Sequence, residues 1–516
     1  MAKQDQEEII EETFNEINEG KLNEGLIKEN EDLKIRINQL IDLVNAMKKD
    51  IREIYASWSW RLTSPCRGII NLVTMGRWKG DIPVYLKKGN AFDQLLTAEK
   101  LDEQTEQTEG DIPEAVLCDD TEADNALSVL QDYEPNPWDE KLGSRITNLK
   151  RDFDKGFQIV VHLYDKPDSS TFRYACYNVC QYMKNSEKYR AYYFFADECK
   201  AVSRLLDKIS ILIFCRTKWT IPYAELINDA RLRKIPIAMQ IDDLVCRVDY
   251  VHYLLEMNLD HRGSDFIYDA WFANTIRLEW IAKEVDGFVV TNDYLGRKLN
   301  DMFKKDYTII RNSLNREQVS VSEELLKKDI KANIKGFVIG YFSGSPTHRR
   351  DLDVVLGEIT DLLDDYDDIT FMVVGYMDFP RKVQQYIDNK RIVFKPLVDF
   401  LELQYMMSLA DVNIVPLEDT VFTNCKSELK FFEAAIAGTI TAATPTYVYK
   451  NCISDKVDGF LCEKGQWYQT IADIHDGKYD IDAMTERAKN TALSRYYGQE
   501  VLNEIEKAYD RIKTFR

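Results

Sequence analysis

After Gly156 the chain breaks into short runs of β-branched and aromatic residues, each followed by a stretch of helical composition, and this alternation dictates the fold class. The first series comprises FQIVVHL (157–163), ILIFC (211–215), IPIAMQI (235–241), GFVVT (287–291) and YTIIRN (307–312). The second comprises GFVIGYF (336–342), ITFMVVG (369–375), RIVF (391–394), VNIVPL (412–417), TITAAT (439–444) and GFLC (459–462). Such runs are apolar nearly throughout rather than alternating, because a strand covered by helices on both faces has no solvent side. The prediction is an α/β architecture. Two Rossmann-like domains, over 151–320 and 321–482, face each other across a cleft, and ligands bind beyond the carboxyl ends of the strands. A closing helix over 483–516 is expected to cross back to the first domain.

The 516 residues exceed what one core organises, and the first 150 are of a different kind. Within 1–56, Leu26, Leu33, Leu40, Met47 and Ile54 keep a seven-residue register over 26–54, with Asn30, Ile37, Val44 and Ile51 four residues after the first four. Ile and Val at position a with Leu at d favour a parallel two-stranded coiled coil, and Asn30 at a pins its register. The expected partner is a second copy of the chain, the alternative being a helix packed on the protein's own body. Segment 57–96 contains SWRLTSP and, over 57–88, carries Arg61, Arg67, Arg77, Lys79, Lys87 and Lys88 against Asp81 alone, interleaved with Trp58, Trp60 and Trp78. That mixture suits either the headgroup level of an anionic leaflet or docking on an acidic protein surface. Residues 97–150 turn acidic and polar and read as a flexible linker.

The formal charge of -20 repels phosphate backbones, so nucleic acid is excluded as a general partner and any anion site must be built locally. No apolar run reaches the roughly 18–20 residues of a membrane span, and the acidic N-terminus MAKQDQEEIIEE is unlike a secretory signal. The 10 cysteines are scattered; Cys176 and Cys180, the closest pair, read as free thiols rather than metal ligands, and His162 in the first strand as a packed core histidine. A cytoplasmic protein is expected, peripheral on the inner face of the cell membrane if 57–88 meets lipid.

In the second half, strand GFVIGYF runs straight into SGSPTHRRDLDVV, so Ser343, Gly344, Ser345 and Thr347 occupy a strand-to-helix turn with His348, Arg349 and Arg350 just behind. Such a turn either binds a pyrophosphate through backbone N–H groups or simply starts a helix. Asp351 and Asp353 beyond it read as solvated surface. Further on, FTNCKSELKFFEAAIAG (422–438) places Lys426, Lys430 and Glu433 on a helix start whose alanines permit close approach. There a carboxylate can take both ribose hydroxyls while lysines hold phosphates. In the first half, Asp242 and Asp243 end the run IPIAMQI and point to the cleft, either to position an acceptor hydroxyl or to cap the next helix.

Over about 335–480 these motifs, with VVG, DGFLC and Trp467, resemble bacterial glycosyltransferase family 4, a retaining family of the GT-B fold. SWRLTSP after a coiled coil resembles the front end of many surface-polysaccharide glycosyltransferases, including rhamnan-synthesis types, and SSTFRYACYNVCQYM, MQIDDLV and TNDYL are similar to the acceptor half of that subgroup. The resemblance implies that Glu433 is the second glutamate of the family's glutamate pair and recognises ribose. Eight residues earlier, where most members carry the glutamate that contacts the donor sugar, stands Cys425; Glu428 or Asn424 could substitute. Arg349 and Arg350, beside His348, are the nearest counterparts of the family's basic pair at the pyrophosphate. Ser169, Ser170 and Thr171 stand where the family has a glycine-rich loop near the donor phosphates. No metal and no cofactor is implied beyond the sugar nucleotide.

The expected reaction moves a sugar from a nucleoside-diphosphate sugar to a hydroxyl of a growing surface polysaccharide or lipid-linked glycan, with retention. The alternatives are a catalytically decayed coiled-coil scaffold or glycan-binding protein, and a GT-B sugar-nucleotide epimerase that needs no acceptor.

Overall fold

The computed structural model describes residues 127–134, 136–168, 170–251, 265–344, 349–377 and 379–515. Every described residue belongs to one compact unit. The coiled-coil core at 26–54, the basic segment 57–96 and the linker as far as residue 126 lie outside the described residues.

The first sheet consists of β1 (Gln158–Tyr164), β2 (Tyr189–Phe195), β3 (Ile209–Cys215), β4 (Ile237–Ile241), β5 (Gly287–Val290) and β6 (Asp306–Ile309), all parallel, in the order β2-β1-β3-β4-β5-β6. The second holds β7 (Phe337–Ser343), β8 (Ile369–Gly375), β9 (Ile392–Lys395), β10 (Val412–Val415), β11 (Ile440–Ala443) and β12 (Phe460–Leu461) in the order β12-β11-β10-β7-β8-β9, again parallel. These are two Rossmann-like domains, the pairing typical of the GT-B fold. Strand order reverses between β1 and β3 and between β7 and β10, so crevices open at those strand ends. At the second, Gly375 has φ +116, and a Cβ there would lie 1.6 Å from the Ser343 carbonyl oxygen; only glycine lets β7 and β8 end side by side.

Six helices bear on the site: α1 (Leu142–Asp154), α2 (Asp293–Phe303), α3 (Arg316–Lys327), α4 (Leu429–Ile436), α5 (Ile481–Tyr496) and α6 (Gln499–Ile512). The expected flexible linker is corrected by the first of them. Residues 127–150 are built into the body: Trp138 is 3% exposed, with ring centroids 5.7 Å from Phe172, 5.6 Å from Tyr177 and 5.8 Å from Phe400, and Leu149 of α1 is fully buried. Average acidity hid a few well-spaced apolar anchors.

The single closing helix is likewise two. Gly498, at φ 74 and ψ -143, takes a backbone conformation that side chains disfavour and breaks it. Ahead of the break α5 packs on the second domain, with Tyr496 stacked 4.6 Å from Phe432; after it α6 lies on the first sheet, with Tyr509 Oη 2.8 Å from His162 Nε2 and Tyr189 donating to Asp510 Oδ1 at 2.6 Å. One buried apolar cluster spans both domains, including Val160, Ile211, Val338, Met372, Tyr405 and Tyr509.

Candidate active site

The facing strand ends enclose a cavity of ≈ 110 Å³ lined by Asp242, Asp243 and Asn312 from the first half and Lys426, Ser427 and Lys430 from the second. Two asparagines hold the halves at this spacing. Asn312 donates through Nδ2 to Ser427 Oγ at 2.8 Å. Asn292 caps α2 by accepting from the Leu295 N–H at 2.9 Å, and its Nδ2 donates across the cleft to the Cys425 carbonyl at 2.9 Å and the Lys426 carbonyl at 3.2 Å. Asn292→Ala therefore removes a helix cap and two cross-domain bonds at once. We expect it to lower stability by about 1–2 kcal/mol, read from the denaturant midpoint.

Beside Asp242 and Asp243 stands a residue that the motifs did not single out. Arg216 follows β3 directly, at φ 48, and its Nη1 lies 3.0 Å from Asp242 Oδ1 and 3.5 Å from Asp243 Oδ2. It also donates to Thr171 Oγ1 at 3.3 Å, while the Thr171 hydroxyl donates to Asp242 Oδ2 at 3.1 Å. Burial in the cleft pushes the Asp242 carboxyl up, an effect that Arg216 opposes. Burial would lower the Arg216 pKa, but Asp242 and Asp243 more than offset it and hold the guanidinium charged. A basic residue placed immediately after ILIFC, at a strand's carboxyl end, was the available signal.

On the other wall, burial lowers the Lys430 pKa to about 8, with Asp351 acting against the shift and Lys426 reinforcing it. Asp351 is not the solvated surface group expected: it is 3% exposed and its Oδ1 accepts from the Glu418 N–H at 3.4 Å, whereas Asp353 is exposed.

The remaining expected donor residues are distributed differently. Glu433 is 1% exposed and lies in an ion pair with Arg173, Oε1 to Nη2 3.1 Å, with Tyr174 and Gln318 donating to the same oxygen. Glu428 faces the opposite way, buried, its Oε1 accepting from Tyr496 at 2.9 Å, and burial raises its pKa. Neither carboxylate lines the cavity. Cys425 is fully buried in the apolar core of the first domain, and Asn424 is engaged by Asp419, the Thr420 carbonyl and the Tyr447 N–H. Cys425 is thus a core anchor here, and neither Glu428 nor Asn424 lines the cavity in its stead.

In the serine-rich loop, the Ser170 N–H and hydroxyl both donate to Asp168 Oδ1, at 2.9 Å and 3.0 Å, so Ser170 is spent on the local turn and only Thr171 reaches the Asp242 cluster. Ser169, Ser345, Thr347 and His348 lie outside the described residues; Gly344 is exposed, and Arg349 and Arg350 are described only as the start of the helix Arg349–Asp353.

A larger depression of ≈ 820 Å³ lies between α1, β2 and α3, away from the strand ends. Several of its charges are already matched: Arg145 to Glu198 at 2.6 Å, Arg151 to Asp152 at 3.1 Å and Arg316 to Glu317 at 3.1 Å.

Among curated proteins none matches the chain. Similar solved structures include HepE of Anabaena in complex with UDP and glucose (11% identity, 69% of this chain and 100% of that one, TM-score 0.44) and a glycosyltransferase from Rickettsia africae (13%, 70% and 100%, TM-score 0.47). Sucrose-phosphate synthase of Thermosynechococcus elongatus is a third (12%, 69% and 99%, TM-score 0.45). The likeness that carries weight for function is that of residues 336–476, the second domain, to the family described as Glycosyl transferases group 1.

Proposed function

We propose that the protein is a glycosyltransferase of the GT-B type that transfers a sugar from a nucleoside-diphosphate sugar to a hydroxyl of a growing surface polysaccharide or lipid-linked glycan, with retention. One observation carries the reading. Lys426 and Lys430 of the family-like domain face Asp242 and Asp243, which Arg216 pairs, across one cavity at the carboxyl ends of both sheets. The lysines suit the diphosphate of the donor, and their charge, with the start of α4, stabilises the phosphate that leaves. Asp242 and Asp243, fixed by Arg216 and Thr171, suit the acceptor hydroxyl. In a front-side displacement the bond to the leaving phosphate breaks on the face where the acceptor oxygen attacks, and that phosphate takes the hydroxyl proton. These side chains position and stabilise. No cofactor beyond the donor enters this scheme.

The cavity is smaller than the roughly 300–1,000 Å³ usual for small-molecule sites, so the donor enters as the halves part. Ribose recognition by Glu433 then follows only after the Arg173 bond opens.

The test has two stages. A thermal-shift screen with UDP, GDP and dTDP is expected to raise the melting temperature with one of them. The matching sugar nucleotides are then assayed for turnover with and without glycan acceptors. Binding without turnover favours the decayed scaffold, for which the buried thiol at Cys425 speaks; turnover without acceptor favours an epimerase; no binding to any nucleotide sinks the enzyme reading.

Two partners complete the proposal from sequence alone. The heptads at 26–54 pair two copies in parallel, so removing 1–56 should leave a monomer by light scattering. The basic aromatic segment 57–88 attaches the enzyme to the inner face of the cell membrane; removing it should abolish sedimentation with anionic vesicles. Among the described residues no helix is long and apolar enough to cross a membrane.

A further inference from the structure

Behind the cleft, His162 of β1, Cys215 at the end of β3 and Cys176 in the π-helical turn Arg173–Asn178 converge, all fully buried, with their donor atoms within 4.8 Å of one another. We propose that these three residues form a structural site for a divalent ion of the zinc class, bound by His162 Nδ1 and the two thiolates.

The spacing supports it. A tetrahedral ion at about 2.0–2.1 Å from nitrogen and about 2.3 Å from sulfur sets neighbouring donors about 3.5–3.8 Å apart. His162 Nδ1 and Cys215 Sγ are 3.5 Å apart. Orientation supports it as well. His162 Nε2 faces the Tyr509 hydroxyl at 2.8 Å, the kind of outer bond that fixes a ligating imidazole and directs its other nitrogen to the ion. Gln240 on β4 brings Oε1 to 3.3 Å from Cys215 Sγ and supplies an oxygen for a fourth position.

Charge balance suits the location. Two thiolates and a neutral imidazole cancel a double positive charge, so the assembly is neutral in an apolar core where an unbalanced ion is costly. On binding, each cysteine loses its thiol proton to solvent and no redox change occurs. The donors come from adjacent strands and a turn, and Tyr509 belongs to α6, so the ion fastens the closing helix to the first sheet. Spacing in the sequence did not disclose the site, because His162, Cys176 and Gln240 lie 53, 39 and 25 residues from Cys215 and meet it only through the fold.

The full-length protein, purified reduced and without chelator, is expected to retain about one zinc per chain by elemental mass spectrometry. The metal-stripped chain loaded with Co(II) should show thiolate charge-transfer and visible d–d bands, and X-ray absorption of the zinc form should report two sulfur neighbours with imidazole. Both signals should vanish in Cys176→Ser/Cys215→Ser and persist in Cys452→Ser. Reduced wild-type chain that takes up neither metal, a zinc spectrum without sulfur, a Cys176–Cys215 disulfide in the isolated protein, or metal content unchanged in the double variant would each overturn the site. The wild-type spectra decide the matter even if the double variant does not fold.

Discussion

Arg173→Ala or Glu433→Ala is expected to lower the unfolding free energy by about 3–5 kcal/mol, the range for stranding one charge of a buried pair. Arg173 is 3% exposed and Glu433 1%; the guanidinium stacks 4.1 Å from the Tyr174 ring centroid and 4.8 Å from that of Phe400. Removing the carboxylate leaves a cation in that aromatic enclosure without its Glu433 counter-charge. Removing the cation leaves a carboxylate held only by Tyr174 and Gln318. Glu433→Gln keeps the shape without the charge and should cost less, and Arg173→Met with Glu433→Leu should recover much of the loss, since apolar replacement of a buried pair is often neutral. Denaturant midpoints check all four. Single-variant losses under about 1 kcal/mol, the surface-pair range, would mean that the pair is open in solution. The same series tests a second role: a ribose contact predicts that Glu433→Gln also raises donor KM in protein that is still fully folded.

The second large effect is a pH break set by Lys430. Below about 8 its amine is charged and available to a donor phosphate; above, it is neutral, so donor affinity should fall as pH rises through about 8. Lys430→Ala should cost about 1.5–3 kcal/mol of donor binding, roughly ten- to a hundredfold. Lys430→Arg should keep binding and remove the break, because a guanidinium stays protonated throughout. Calorimetric nucleotide titrations at several pH values measure both. Stability runs the other way. The unfolded lysine keeps its proton to about 10.5, so between about 8 and 10.5 folding releases a proton, and the destabilisation that is complete below about 8 is relieved as pH rises. Affinity that is flat across this range in the wild type would remove Lys430 from the phosphate.

The architecture was readable because helix-covered strands must be apolar on both faces, and all eleven expected runs are strands. The one missed, β2, reads YRAYYFF: no β-branched residue and, at its second position, Arg190, whose Nη1 reaches the backbone carbonyls of Met183 and Tyr189. The places of Asp242 and Asp243 were also readable, since they directly follow β4 at its carboxyl end, and Lys426 and Lys430 stand at the helix start that the sequence marked. Glu433 and Glu428 were not. Glu428 caps α4 and Glu433 lies within it, and which way each turns depends on Arg173, Gln318 and Tyr496, residues 260, 115 and 68 positions away. Local pattern carries no record of such partners.

The break at Gly498 bears on how the two halves can move. The chain passes between them at about 310–316 and again at 497–498, and these passages touch: the Leu314 N–H donates to the Tyr496 carbonyl at 2.9 Å. Two adjoining pivots define a single axis, so opening is confined to one swing, like a door on a paired hinge, rather than to free tumbling on a tether. The swing has the Arg173 and Glu433 bond as its latch, and α6 rides with the first leaf although it follows the second in sequence.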